Sequence, residues 1–294
     1  MKRNSPWTFV VSAFLALLVA PAIAAEGGEP DGRESQISTV QVSPNVYILQ
    51  AKADDADIAV YVSKDGVVVV DTGLQPIAQN LRDAIRAISP KPIRYVVLTH
   101  YHFDHIGGAE LLAREAPVVA QERVRTRMMM PSHVGGRNDP PAPTAALPVI
   151  TFDKQLSIFA NGEEIRLISF PAHTDGDAVV WFTRENVVHM GDAILGTDID
   201  GGGDVYGMVE ACERVASMVP PDAKVIVGHV GVISVEDLRK KGKQWKQAAN
   251  AVDAAIKQGK SLQQIREEKL LGGMFENNAD RIAGMIYANL TRKK

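Results

Sequence analysis

The sequence predicts an α/β fold, with sheets covered on their outer faces by helices. Three observations lead there. Short Val/Ile-rich runs bounded by turn residues, such as "GVVVVDTG" and "IRYVVLT", read as strands. Stretches with apolar residues at helical spacing, such as "PIAQNLRDAIRAIS", separate them. The strand-and-helix order then roughly recurs in each half, although no internal repeat exists at the level of matching words. With 294 residues the chain fits one large domain or two small ones.

In order, "VQVSPNVYILQA" reads as strands, and "IAVYVSKDGVVVVDTG" as a hairpin turning at Lys64-Asp65-Gly66. The helix in "PIAQNLRDAIRAIS" carries Pro76 in its first turn, where a missing N–H costs nothing. "IRYVVLT" is a buried strand, "GGAELLAREA" a helix and "PVVAQ" another strand. Residues 131–148, "PSHVGGRNDPPAPTAALP", read as a long Pro/Gly loop, a length uncommon in compact domains unless functional or disordered. "KQLSIFA", "EEIRLISFP", "DAVVWFT" and "NVVHMGD" follow as strands, then a helix at about 204–219 and the strand "KVIVGH". From about 234 the chain reads as helical, with a break at "LLGGMFENNA".

Composition is that of an ordinary soluble globular protein, 46% hydrophobic and 23% charged. The net charge of −3 leaves no basic surface to draw nucleic acid, so a small-molecule substrate is the expected partner. The start differs from the rest. Lys2 and Arg3 precede an apolar run that ends in small residues, with Ala22 and Ala24 fitting an A-x-A cleavage site. Residues 1–24 therefore read as a secretory signal peptide, with a mature chain from Ala25. Residues 25–38 read as a flexible linker, and 39–294 as the folded domain with a helical C-terminal extension. Pro21 and the small-residue end argue against an uncleaved anchor, so the expected location is periplasmic or secreted, with no membrane attachment after cleavage. The single cysteine, Cys212, cannot form an internal disulfide, and export rests on the leader alone.

The stretch "THYHFDHIGG" holds three of the seven histidines within six residues. His100 and His102 follow a strand directly. At i and i+2 they share a face only in extended backbone, where two imidazoles can grip one metal. Asp104 and His105 follow as the chain turns and can point to a second metal, while Gly107 and Gly108 relieve crowding where a helix begins. Further donors stand at strand ends: His173 in "SFPAHTDGD", Asp192 in "VVHMGDAIL" and His229 in "VIVGHVG". Donors at several strand ends can converge on one rim of a sheet.

This set resembles the metallo-β-lactamase superfamily. "HYHFDH" matches the H-x-H-x-D-H signature at every fixed position; "DTG", "AHTDGD", "GD" and "GH" match its other motifs in order, over residues 40–235. The resemblance implies a four-layer αββα sandwich holding two Zn2+ ions. By motif position His100, His102 and His173 would hold the first zinc, and Asp104, His105 and His229 the second. Asp192 would bridge, and Asp71 would orient the histidine loop without touching a metal. Histidine nitrogens and carboxylate oxygens suit zinc. Two zincs about 3.5–4 Å apart share a water and lower its pKa towards ~7, giving hydroxide to attack a carbonyl. Asp104 and Asp192 are thus the candidate catalytic carboxylates.

The implied function is zinc-dependent hydrolysis, with a β-lactam ring the leading substrate and a lactone or a glyoxalase II-type thioester the alternatives. Asp at 192 departs from the subclass of true β-lactamases that bridges through cysteine. "GHVG" departs slightly from the usual "GHG". An exported location disfavours a glutathione thioester, which is mainly cytosolic. Two other classes remain: a mononuclear iron persulfide dioxygenase, which uses fewer ligands than the seven here, and a non-catalytic metal-binding accessory protein. Among the remaining features, His189 is expected to pack or cap, His133 to be solvated, "RMMM" at 127–130 to pack, and "DIDGGGD" at 198–204 to be a flexible loop bordering the site rather than a calcium loop.

Overall fold

Alternation of side chains along apolar strands builds two sheets. The computed structural model describes residues 37–51, 56–196 and 198–292; the expected signal peptide and most of the linker lie outside them. β1 (Ile37–Gln41), β2 (Val46–Ala51), β3 (Ile58–Val62) and β4 (Val67–Val70) pair antiparallel in sequence order. The β3–β4 turn closes with the Ser63 N–H on the Gly66 carbonyl at 2.9 Å. A 3₁₀ turn containing Pro76 leads into α1 (Ala78–Ile88), which buries Leu81 and Ile85. β5 (Ile93–Leu98) returns parallel to β4. Then come α2 (Phe103–Ile106), α3 (Ala109–Leu112), β6 (Val118–Gln121) and α4 (Glu122–Met128). A separate hairpin of β7 (Ser132–Val134) and β8 (Arg137–Asp139) precedes β9 (Ile150–Phe152), which pairs parallel to β6 and completes the first sheet.

The second sheet takes β10 (Gln155–Ala160), β11 (Glu163–Ser169), β12 (Ala178–Phe182) and β13 (Val187–His189) as an antiparallel meander. After α5 (Val205–Met218), β14 (Lys224–Val227) pairs parallel to β13, and β15 (Gly231–Ser234) forms the edge. α6 (Val235–Lys257), α7 (Leu262–Glu267) and α8 (Ala279–Arg292) follow.

Period-two alternation assigns each sheet a face towards its twin and a face towards helices. Val68 and Val70 of β4 and Val97 of β5 pack with Leu167, Val180, Phe182 and Ile226 of the second sheet. Their neighbours Val67, Val69, Val96 and Leu98 turn the other way, against Leu81, Ile85, Leu112 and Val124 on helices. In the second sheet Val179, Val188, Val225 and Val227 face α5, α6 and α8 through Cys212, Val215, Trp245, Val252 and Ile286. The result is the four-layer αββα sandwich.

Several local expectations need correction. β1 starts at Ile37, inside the stretch read as linker. "GGAELLAREA" gives only the short α3, because the chain has already turned once in α2. Residues 131–148 are not one plain loop. They contain the β7–β8 hairpin, turned by Gly135 and Gly136 at φ 59 and 79, and a 3₁₀ turn at Thr144–Ala146. "RMMM" packs only in part, since Met128 is buried while Met129 and Met130 are exposed.

Candidate metal centre

The sequence-predicted donors gather at the C-terminal ends of β5, β11, β13 and β14, where the two sheets meet. None lies within a strand: His173, Asp192 and His229 fall a few residues beyond β11, β13 and β14, in the loops. His102 lies on extended backbone, at φ −67 and ψ 148, and its ring stands 4.6 Å from that of His100. Tyr101 and Phe103 alternate with them and line a separate cavity described below. Asp104 and His105 sit on α2. His229 takes a left-handed backbone, φ 63, which a non-glycine residue adopts only at a cost.

Among the described residues, ligand atoms cluster in three overlapping groups, each within 4.8 Å: His100, His102 and His173; His100, His105 and Asp192; Asp104, His105 and His229. His102 Nδ1 and His173 Nε2 stand 3.0 Å apart. His229 Nε2 lies 3.2 Å from Asp104 Oδ2 and 3.3 Å from Asp192 Oδ2. Asp192 Oδ1 lies 3.5 Å from His105 Nε2, and its Oδ2 is 4.0 Å from His173 Nε2. One carboxylate therefore stands between both histidine groups.

The opposite atoms are pinned. Asp71, fully buried with φ 66, accepts the Thr99 N–H on Oδ1 and the Thr99 hydroxyl on Oδ2, each at 2.7 Å. It also accepts His105 Nδ1–H at 2.8 Å. The Thr99 hydroxyl, its proton spent on Asp71, accepts His100 Nδ1–H at 3.1 Å. His173 Nδ1–H donates to the Asp198 carbonyl at 3.0 Å. Each of these rings thus turns a lone pair on Nε2 inward. Thr72 N–H and hydroxyl both reach the His105 carbonyl at 2.8 Å, and a Cβ at Gly107 or Gly108 would collide with the backbone of Gln75 or Thr72. "DTG" and "GG" are thereby two halves of one close contact.

His100 Nε2, His105 Nε2 and Asp192 Oδ1 are buried without a hydrogen-bond partner. Unpaired buried polar atoms are costly and demand explanation. Atoms of this kind, converging from imidazoles and a carboxylate, fit a cation. Where a proton must serve as that cation, burial and neighbouring charge pull against each other on several of these groups. Burial works to raise Asp192, but His105 and His229 hold it well below the carboxylate range. Burial works against charge on His105, yet Asp192 and Asp71 keep its pKa well above the ordinary value. Bonds to Asp104 and Asp192 push His229 up to about 10. Burial, with His105 and His102 nearby, drives His100 well below its ordinary value.

Asp200 escaped the sequence reading, which singled out only its loop. Its Oδ2 accepts the Tyr101 hydroxyl at 2.5 Å and lies 3.8 Å from His102 Nε2; both neighbours favour its ionised form. An acid followed by three glycines beside an expected site was the available signal. His189 caps, as expected: it accepts the Gly191 N–H at 3.1 Å. His133 is exposed and bonded to Asn138, outside the cluster. The cavity backing onto the histidine loop has a volume of about 370 Å³, with Phe103, Ile106, Met128, Met130 and Pro140 in its wall. Segment 131–148 closes part of it, and the Arg137 guanidinium lies 4.7 Å from the centre of the Phe103 ring.

Fold and donor cluster together define an αββα sandwich whose His/Asp cluster could hold metal ions. A family model described as the Metallo-beta-lactamase superfamily matches residues 52–229, more than half of the chain. The chain belongs to that superfamily, whose members are mostly metallo-hydrolases. It is 27% identical over 176 residues to a "Beta-lactamase-like protein 2 homolog" from Drosophila melanogaster, covering 56% of this chain and 55% of the relative. It is 28% identical over 166 residues to a hydroxyacylglutathione hydrolase from Vibrio parahaemolyticus, covering 55% and 56%. The chain thus spans about half the length of these curated relatives. Among solved structures, a metallo-beta-lactamase from Pontibacter korlensis superposes with a TM-score of 0.58 at 20% identity, over 72% of this chain and 99% of that one. At that identity the likeness speaks to the fold alone.

Proposed function

We propose that this chain is a dinuclear zinc hydrolase of small molecules. His100, His102 and His173 would hold one ion, and Asp104, His105 and His229 the other, with the Asp192 carboxylate between them. The observation that carries this reading is the set of buried, unpartnered atoms on His100, His105 and Asp192, each fixed from behind by a hydrogen bond or a turn. Two zinc ions would supply an activated water at neutral pH and a Lewis acid for the substrate's carbonyl.

The chain's own groups set the rest. Asp104 and His229, with side chains 18% and 28% exposed, form the accessible side of the site. Asp104 Oδ2 is placed to accept a proton from the attacking water and to orient it. Asp71 keeps the proton of His105 on Nδ1. Phe103 links the donor loop to the neighbouring cavity, whose mostly apolar wall suits an uncharged arm of the substrate. A strained β-lactam ring is the first substrate to assay. A lactone or thioester is the second reading, favoured by a carboxylate rather than a thiolate at 192 and by the hydroxyacylglutathione hydrolase relative.

The test is a screen of purified, zinc-assayed protein against a β-lactam, a lactone, a thioester and a phosphodiester. Turnover of a carbonyl substrate that is abolished by chelation and restored by zinc is expected. One iron per chain, with no gain on adding zinc, would overturn the reading. We also propose export, from the leader. N-terminal sequencing of secreted or periplasmic protein is expected to start near Ala25, and an intact Met1 would count against it.

A further inference from the structure

We propose that Asp57 and His189, neither of them in the donor set, are positioning residues that hold the Asp192 and His229 turns in register at the second ion. This rests on the two-ion reading above.

Asp57 is fully buried and immediately precedes β3, on the first sheet. Its Oδ2 accepts the N–H of Gly231 at 2.6 Å, two residues past His229. Its Oδ1 accepts the side-chain amide of Gln50. Its backbone carbonyl lies 2.6 Å from His189 Nε2. His189, also fully buried, stands at the end of β13, and its Nδ1 faces the Gly191 N–H at 3.1 Å. A carbonyl only accepts and an N–H only donates. The ring must therefore be neutral, with its proton on Nε2 and a lone pair on Nδ1. A charged ring would set one N–H against another.

These bonds reach two turns of the site that carry left-handed backbone. Gly191, His229 and Gly231 have φ of 52, 63 and 88. The turns also touch each other, through the Gly228 N–H on the Gly191 carbonyl at 2.9 Å, and a Cβ at Gly228 would collide with Asp192 Oδ1. Neither turn carries His100, His102 or His173. One buried residue of the first sheet thus bonds to the turn that carries His229 and, through His189, to the turn that carries Asp192. Removing its carboxylate orphans a backbone N–H beside His229, and the turn can satisfy that N–H only by moving. Groups behind metal ligands typically contribute 10- to 100-fold to metal affinity.

Stepwise zinc affinities by competition with a chromophoric chelator test this, on full-length Asp57→Ala, Asp57→Asn and His189→Phe. In Asp57→Ala the second ion is expected to weaken roughly 10- to 100-fold, and the first, which shares only the Asp192 carboxylate, less. In Asp57→Asn the amide oxygen still accepts from Gly231 and the Gln50 amide can flip to match, so both steps stay near wild type. His189→Phe keeps the ring volume but loses both bonds, and it reads out the second ion even if Asp57→Ala does not fold. An unchanged second step in His189→Phe or Asp57→Ala overturns the proposal. So does equal weakening of both steps, or failure of Asn to rescue. Wild-type protein that takes up fewer than two ions would instead overturn the two-ion reading beneath it.

Discussion

Asp71 serves three donors with two oxygens while holding a left-handed backbone at φ 66. Asp71→Ala leaves those donors buried and unpaired, at about 1–3 kcal/mol for each such group. Urea unfolding of the chelator-treated variant is expected to show a loss of roughly 3 kcal/mol or more. Asp192→Ala should instead weaken both ions and lower turnover by about 10²-fold or more, because the activated water and the Lewis acid go together. Zinc titration with simultaneous activity measurement checks it. Protons compete with metal for the same atoms, and the sign follows from His229. Its folded pKa of about 10 lies above its ordinary 6.5. In metal-free protein its contribution to stability is full below pH 6.5 and is lost as pH rises through 10. Metal binding displaces that proton. The thermal stabilisation given by zinc should therefore widen between pH 6.5 and 9, and calorimetry in buffers of different ionisation enthalpy should show proton release on binding. The donors themselves were legible because their motifs are local. Asp57 and Asp200 were not, because their roles lie in contacts 174 and 99 residues away, and for His189 the cap was legible but not its contact with Asp57, 132 residues away.

At the scale of elements, the segment 131–148 leans on the donor loop through Arg137 and Phe103 and helps to enclose the cavity. Replacing residues 132–139 by a short Gly-Ser link is expected to change relative kcat/KM among substrates while zinc content stays near wild type. Unaltered relative rates on every active substrate would refute that role. Its hairpin was hard to read: two three-residue strands flank a glycine pair, too short to show alternation. α4 was missed for a similar reason. Only Val124 and Met128 of its seven residues are buried, and its start is marked by the Gln121 side chain accepting the Arg123 N–H at 2.5 Å, not by Ser, Thr, Asp or Asn. β15 was missed because "GVIS" exposes alternate residues at a sheet edge. The longer strands and α1, α5 and α6 were legible because each sustains one period over enough residues to bury a full face.

Across the whole molecule, stability depends on the layer between the sheets. Phe182 is fully buried there, with its ring stacked 5.6 Å from Tyr61 of the first sheet. Phe182→Ala is expected to cost about 3–5 kcal/mol, measured by equilibrium urea unfolding. Sheets covered by helices on their outer faces follow from the valine-rich strands and the helices between them, whereas the four-layer stack was implied by the family resemblance. The pairing order does not follow, since bringing β9 beside β6 across residues 122–149 depends on which edge remains open once the rest has folded.

The first sheet supplies His100, His102, Asp104 and His105, the second His173, Asp192 and His229, and the chain crosses between the sheets once, at 153–154. Ions held by these residues would therefore act as a rivet through a seam. Imidazole and carboxylate bonds tolerate only a few tenths of an ångström, whereas apolar contacts across the seam slide more freely. Shear between the halves should eject the ions while both sheets are still intact. In a urea series a zinc-responsive dye is expected to report release at a lower concentration than the loss of far-ultraviolet circular dichroism, and the chain would then be a sensor of its own mechanical alignment.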